Sequence, residues 1–180
     1  EAAGEDPCII RSLRGHKESI CALSFHPGCR YVASAGMDNL VMLWDLYGQV
    51  PVHKFAGHKV TLQLTVDEIH ALKFSPNGNM LASVSKDETL RFWEVNFDTD
   101  HETAVVKAHS SRIRNLAFSC DGLIVGTCGD DKLIKLWSTQ DRRLQVTLKG
   151  HQHWVRNLEF SPTAANLASC DDKNILLWDV

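Results

Sequence analysis

An all-β fold made of four copies of one antiparallel unit is predicted by two observations in this 180-residue chain. The first is a recurrent ending: Leu43-Trp44-Asp45, Phe92-Trp93-Glu94, Leu136-Trp137-Ser138 and Leu177-Trp178-Asp179, with Trp-to-Trp intervals of 49, 44 and 41 residues. The second is a polar set that accompanies each Trp. A His lies upstream (His16, His58, His109, His151), and an Asp stands six residues before it (Asp38, Asp87, Asp131, Asp172). Sustained helical periodicity is absent, whereas short alternating runs bounded by turn residues recur along the chain.

The strands of each repeat follow in one order. Four residues after the His stands a branched apolar residue (Ile20, Ile113, Val155), seven after it a Leu (Leu23, Leu116, Leu158), and nine after it a Phe (Phe25, Phe118, Phe160). Repeat two carries the same series, Ile69, Leu72 and Phe74, displaced by seven residues. Such alternation predicts a first strand with one buried face. Phe-Ser-Pro or a variant then signals a turn, and a small-residue strand follows, as at Leu81-Ala82-Ser83 and Leu167-Ala168-Ser169. The Trp lies on the third strand. Val52–Phe55, Ala104–Lys107 and Leu144–Leu148 are predicted as outer strands ahead of the next His. Residues 8–13 read the same way, as the outer strand of a unit whose other strands are absent from the N-terminal side.

A period of about 40–45 residues, with Gly-His near its start and Trp-Asp at its end, is the signature of a WD-repeat propeller blade. Residues 8–180 resemble that family, after an N-terminal tail at 1–7, with repeats ending near 45, 94, 138 and 179. The resemblance implies an all-β WD-repeat β-propeller of which about four blades are present, a partial propeller of a seven-bladed ring. It also gives the polar residues a role. In blades of this type the His, a hydroxyl, the Asp and the Trp indole form one hydrogen-bonded network, since half-buried polar groups must find partners. The expected sets are His16, Ser34, Asp38 and Trp44; His58, Ser83, Asp87 and Trp93; His109, Thr127, Asp131 and Trp137; and His151, Ser169, Asp172 and Trp178. Repeat four is one residue shorter between Ser169 and Asp172, so Asp171 stays open as the alternative. A catalytic Ser-His-Asp triad would require one such constellation in a cleft, whereas four copies, each with a Trp, argue for structure.

Composition excludes little more. Hydrophobic residues make up 44% and charged residues 23%, an ordinary globular balance. No hydrophobic run long enough to span a membrane and no signal-peptide pattern is present, and no membrane partner is expected. The six cysteines include no Cys-x-x-Cys pair and are expected as reduced, small apolar residues. The net charge of −3 conceals an asymmetry: residues 107–180 carry 10 basic and 8 acidic side chains, against 9 and 14 in residues 1–106. That is too weak to announce a nucleic-acid partner. His151-Gln152-His153 places two imidazoles at strand spacing, but His151 belongs to the network and no third ligand stands nearby. No metal, cofactor or catalytic centre is expected.

Two further features bear on partners. Residues 60–66 (Val-Thr-Leu-Gln-Leu-Thr-Val) form a seven-residue alternating insertion in repeat two, either an irregular hairpin extension or an edge for strand pairing. Trp154 is the one Trp outside the repeat-ending series, with Arg112, Arg114 and Arg156 on equivalent strands of repeats three and four. Trp154 reads equally as a packing residue against the adjacent blade and as an exposed aromatic anchor. The three arginines are candidate contacts for an acidic partner.

A narrower resemblance is to the proteome-of-centriole family of WD-repeat proteins. It rests on Glu5-Asp6-Pro7, Phe55-x-Gly57-His58-Lys59, Ala108-His109, Asp130-Asp131-Lys132 followed by Lys135-x-Trp137, and above all His151-x-x-Trp154-Val155-Arg156 followed by Phe160-Ser161-Pro162. The insertion at 60–66 departs from that family, and its later repeats and C-terminal helical segment have no counterpart in this sequence. The resemblance implies a non-enzymatic scaffold that binds and stabilises the microtubule walls of centrioles, basal bodies and ciliary axonemes, with tubulin or microtubule-associated partners in the cytoplasm and cytoskeleton. The competing expectation is a generic WD-repeat adaptor in a ubiquitin-ligase or chromatin complex.

Overall fold

The structure, a computed structural model, describes residues 12–48, 51–56, 58, 68–95, 102–163 and 166–180. These residues form four antiparallel sheets in chain order, and no helix occurs among them. Blade 1 comprises β1 (Ile20–Phe25), β2 (Tyr31–Gly36), β3 (Leu40–Asp45) and β4 (Pro51–Ala56). Blade 2 comprises β5 (Ile69–Phe74), β6 (Met80–Ser85), β7 (Thr89–Glu94) and β8 (Glu102–Lys107). Blade 3 comprises β9 (Ile113–Phe118), β10 (Ile124–Gly129), β11 (Leu133–Ser138) and β12 (Leu144–Lys149). Blade 4 comprises β13 (Asn157–Phe160), β14 (Asn166–Cys170) and β15 (Ile175–Asp179). Every neighbour in a sheet is also the neighbour in sequence, so each blade is a simple meander. This is the partial propeller that the repeats predict.

Register explains why the second strand is built of small residues. Ala33 pairs with Leu43, Ala82 with Phe92, Gly126 with Leu136 and Ala168 with Leu177. In blades 1 to 3 those residues form the face on which the next blade lies. Ala33, Ala35, Val41 and Leu43 of blade 1 pack against Ile69, Leu72 and Phe74 of blade 2 in one buried cluster. Ala82, Val84, Leu90 and Phe92 pack against Ile113 and Leu116 in the next. Cys128, Ile134 and Leu136 pack against Val155, Leu158 and Phe160 in the third. The approach of blade 4 leaves no room for a side chain at Gly126, where an added Cβ would lie 2.7 Å from Leu158 Cδ1 and 3.2 Å from Phe160 Cε2. Cys128 behaves as the small apolar residue expected: burial pushes its thiol pKa up to about 12.

The turns follow the same economy. The β5–β6 and β9–β10 turns place Gly78 and Gly122 at φ of 78° and 73°, and Cys29 takes the equivalent place in blade 1 at 55°. In the turns between second and third strands, Asn39, Glu88 and Lys132 adopt left-handed φ of 61°, 68° and 66°. Of the expected outer strand at 8–13, only Ser12 and Leu13 are described, and neither is in a strand. The insertion at 60–66 lies outside the described residues, as do Glu5-Asp6-Pro7, Gly57 and Lys59.

Leu72→Ala, which removes a side chain buried between blades 1 and 2, is expected to lower stability by about 2–5 kcal/mol. Leu123→Ala, on an exposed turn, should change it by no more than about 0.5 kcal/mol. Chemical denaturation of the two variants beside the wild type checks both values.

Candidate functional site

Each blade contains one directed chain of hydrogen bonds. In blade 3, Trp137 Nε1–H donates to Thr127 Oγ1 at 3.0 Å, Thr127 meets His109 Nε2 at 2.8 Å, and His109 Nδ1 meets the two Asp131 oxygens at 2.9 and 2.8 Å. Blade 1 repeats it through Trp44, Ser34, His16 and Asp38, with 2.8 Å from indole to hydroxyl and 2.6 Å from hydroxyl to imidazole. Blade 2 repeats it through Trp93, Ser83, His58 and Asp87, with all three links at 2.9 Å. A carboxylate only accepts and an indole only donates, so the hydroxyl donates to Nε2 and the imidazole carries its proton on Nδ1. Burial alone would raise the Asp131 pKa, but His109 and the backbone N–H groups of Leu133 and Ser110 hold it below the usual carboxylate range. Asp38 and Asp87 are lowered against the same burial by the equivalent donors.

Blade 4 corrects one expectation. His151 Nδ1 lies 2.9 Å from Asp171, not Asp172, while His151 Nε2 meets Ser169 at 2.7 Å and Trp178 donates to Ser169 at 2.8 Å. The cause is the shortened turn. Four residues separate the paired Cys170 and Ile175, against five between Ala35 and Val41 in blade 1. Among the described residues of this turn none takes the left-handed φ that follows Asp38, Asp87 and Asp131. The carboxylate that reaches the His is therefore the one at the start of the turn. Asp171 accepts the N–H groups of Lys173 and Asn174, both at 2.8 Å. Those donors, Lys173 first, and His151 depress its pKa strongly.

Asp172 has a different partner. Arg156 Nε donates to Asp172 Oδ1 at 2.7 Å. In blade 3, Arg114 occupies the equivalent place and forks onto Asp130, through Nε to Oδ1 and through Nη2 to Oδ2 at 3.2 Å. Both arginines meet on Trp154: the guanidinium carbons of Arg114 and Arg156 lie 5.1 and 5.5 Å from its ring centroid. Trp154 is 48% exposed. It thus stacks on an arginine of blade 3 and one of blade 4 and is also half-exposed to solvent. Lys132, His153 and Asp172 line a shallow depression beside it.

The structure thus brings Arg114 and Arg156 onto Trp154, while Arg112 stands ahead of β9. The Arg112 carbonyl accepts the Asp130 N–H at 3.0 Å. Burial, and then the positive charge of Arg112, keep the His70 imidazole below its ordinary range. Asp130 was not singled out as a site residue from sequence, and Asp172 was read there as the network aspartate of repeat four rather than as the partner of Arg156. A signal was present: repeats three and four, which carry Arg at this position, double the turn acid as Asp130-Asp131 and Asp171-Asp172. Repeats one and two carry Cys21 with Met37, and His70 with Lys86. Among the described residues no group of three or more His, Cys, Asp or Glu is placed to hold a metal ion.

A family model described as WD domain, G-beta repeat, matches residues 7–45, 49–94, 101–138 and 142–179. The chain belongs to the WD-repeat family. Among its relatives is Nuclear distribution protein PAC1 of Arthroderma otae, 27% identical over 187 residues, covering 91% of this chain and 39% of that protein. Striatin-3 of Mus musculus is 26% identical over 179 residues, which span 92% of this chain and 22% of that protein. Target of rapamycin complex subunit LST8 of Saccharomyces cerevisiae is 26% identical over 187 residues, 82% of this chain and 62% of that protein. The chain therefore spans less than two thirds of these relatives. None of the three carries a centriolar name.

Two outcomes are expected from the WD-repeat network. His109→Ala leaves Thr127 and Asp131 each short of a partner in a largely buried setting, and should lower stability by about 1–3 kcal/mol. An unchanged unfolding midpoint would show that His109 is no part of the framework. Because the network aspartates are lowered on folding, their contribution is complete above the unfolded carboxylate pKa of about 4 and is lost as pH falls through the folded values. Thermal melting from pH 7 to 3 should therefore decline most steeply below about pH 4. Asp131→Asn should lower the midpoint at pH 7 and flatten that decline.

Proposed function

We propose that this WD-repeat chain is a non-enzymatic protein-binding scaffold that docks an acidic protein surface on the face carrying Arg114, Trp154 and Arg156. The observation that carries the reading is Trp154, half-exposed and held between two guanidinium groups. An aromatic ring fixed by arginines on both blades is preorganised, and Trp and Arg are the side chains that most often dominate interface energies. The same four-residue chains that resemble catalytic triads are taken up by the blade framework, which leaves them no reacting role.

The partner we propose is the microtubule wall of centrioles, basal bodies and ciliary axonemes, on the strength of the His151-x-x-Trp154-Val155-Arg156 resemblance. Its acidic lattice suits the more basic half of the chain, residues 107–180. Asp130 and Asp172 offset Arg114 and Arg156, so net charge alone does not supply the attraction. Arg156 donates to Asp172 from Nε only and stays partly exposed, so its Nη groups are available to a partner carboxylate. One observation favours a second reading, an adaptor in another multi-protein assembly: a relative at 26% identity is named a complex subunit.

Trp154→Ala and Arg156→Gln are each expected to weaken microtubule co-sedimentation about tenfold, the effect of losing roughly 1.4 kcal/mol at an interface. The melting midpoint should move little, since Arg156–Asp172 is an exposed pair. Raising the salt should weaken binding by the wild type. If the wild type does not co-sediment, the microtubule partner is wrong and the adaptor reading stands. If it co-sediments and both variants match it, the face is wrong.

A further inference from the structure

We propose that the junction of blades 2 and 3 holds a carboxylate-binding site, formed by His70 and Lys86 of blade 2 and Arg112 of blade 3, that seats an Asp or Glu side chain of a protein partner. The proposal rests on the acidic-partner reading above and extends it to a second place on the array. It is tested at His70, so that it can fail while that reading stands.

In blades 2 and 3 the first strand meets the turn after the second strand in the same way. Lys86 N–H donates to the Glu68 carbonyl at 3.0 Å, and Asp130 N–H donates to the Arg112 carbonyl at 3.0 Å. Ile69 pairs with Ser85 and Ile113 with Gly129. His70 therefore stands where Arg114 stands, and Lys86 stands where Asp130 stands. In blade 3 the two are joined, because Arg114 forks onto Asp130. Blade 4 joins Arg156 to Asp172. Blade 2 has a base at both positions. The carboxylate that blades 3 and 4 supply from their own turns is replaced there by Lys86, and its role is left to an outside group.

The side chains at this junction are short of partners. His70 is half-buried, and its Nε2 is shielded from solvent without a hydrogen bond. The Ser111 hydroxyl, one residue ahead of Arg112, is also buried and unpaired. Among the described residues, the side chains of Lys86 and Arg112 make no hydrogen bond or ion pair. Positive charge acts on His70 from Lys86 of its own blade and from Arg112 and Arg114 of blade 3; negative charge acts on it from Glu68. Arg114 is already engaged by Asp130. Buried polar atoms without partners are costly, and two of them beside two unpaired cations point to an anion as the missing group.

A carboxylate seated by Lys86 and Arg112 meets two charged donors, and the guanidinium can grip both of its oxygens. Neither side chain has a bond to break in turning toward it. The added negative charge favours the imidazolium form of His70, whose Nε2–H then has the acceptor it lacks. Filling the site therefore takes up a proton. In the free chain burial, and then Arg112, hold His70 below its ordinary range, and the carboxylate raises it. Binding accordingly strengthens as pH falls from about 8 to about 6, and weakens below about pH 4, where the incoming carboxyl is itself protonated.

NMR titration of the histidines of the 180-residue chain with a capped oligoglutamate peptide, at constant ionic strength, tests this. The peptide should raise the His70 midpoint by about one pH unit, and calorimetric affinity should be about tenfold greater at pH 6 than at pH 8. His26, beyond the far end of β1, should not respond. Lys86→Asp restores the pattern of blade 3, so the His70 midpoint should rise without peptide and the peptide should bind about tenfold more weakly. Arg112→Gln should weaken binding by about the same factor. Circular dichroism shows whether each variant is folded; if Lys86→Asp is not, Lys86→Gln replaces it and should weaken binding. A His70 midpoint that ignores the peptide overturns the proposal. An equal response to sodium chloride overturns it as well, since that is general screening, and a larger response to inorganic phosphate overturns the carboxylate assignment. Trp154→Ala should leave the His70 response intact; loss of the response would seat the peptide on the Trp154 face and overturn the junction site. Microtubule co-sedimentation tests the earlier reading alone.

Discussion

One hydroxyl per blade holds together two parts of the chain that hydrophobic packing alone would not fix. Ser34, Ser83, Thr127 and Ser169 each accept from a Trp on the third strand and meet a His from the segment entering the blade. The His is then locked by an Asp on the turn between second and third strands. Three backbone segments are thereby pinned at one point in a low-dielectric setting, where a satisfied polar chain rigidifies and a broken one is costly. That constraint sets the height at which each blade enters the array. The Ile, Leu and Phe of its first strand consequently meet the small residues of the preceding blade.

From this framework the surface follows. The segment between the network His and the first strand carries Trp154 and Arg156 in blade 4, and the start of β9 in blade 3 sets Arg114 against the same ring. Arg114 and Arg156 are each sixteen residues before their acids, Asp130 and Asp172. That interval is kept in both blades, although the His-to-Asp interval falls from 22 to 20. The shortened turn of blade 4 has thus exchanged the duties of its two aspartates without disturbing the surface pair. A framework that tolerates a deletion while preserving an exposed arrangement is suited to presenting a surface.

Most of the fold was legible because its signals are local and repeated. Strand order, the small second strand and the four polar sets all recur with nearly fixed spacing, and the displaced Ile69, Leu72 and Phe74 series marked the start of β5 despite the insertion before it. The assignment of Asp172 failed because spacing to Trp178 cannot tell which end of a turn has lost a residue. Only the backbone does: His151 meets Asp171, directly after the paired Cys170, whereas two residues stand between Ala35 and Asp38 in blade 1. The stacking of two arginines on Trp154 was illegible for another reason. It joins side chains from different blades, and inter-blade neighbours come from stacking rather than from any period along the chain. Arg112 was grouped with Arg114 by sequence, but Arg112 stands ahead of β9, whereas Arg114 lies within it and stacks on Trp154.

The central claim is the direction of the polar chain, from Trp N–H through hydroxyl and imidazole to carboxylate. Long-range proton–nitrogen NMR correlation at pH 8 reads the tautomer of each imidazole directly. The account predicts that His16, His58, His109 and His151 all carry the proton on Nδ1, with Nε2 acting as acceptor. A proton on Nε2 in these residues would reverse the chain, leave the Asp facing an acceptor, and contradict the account.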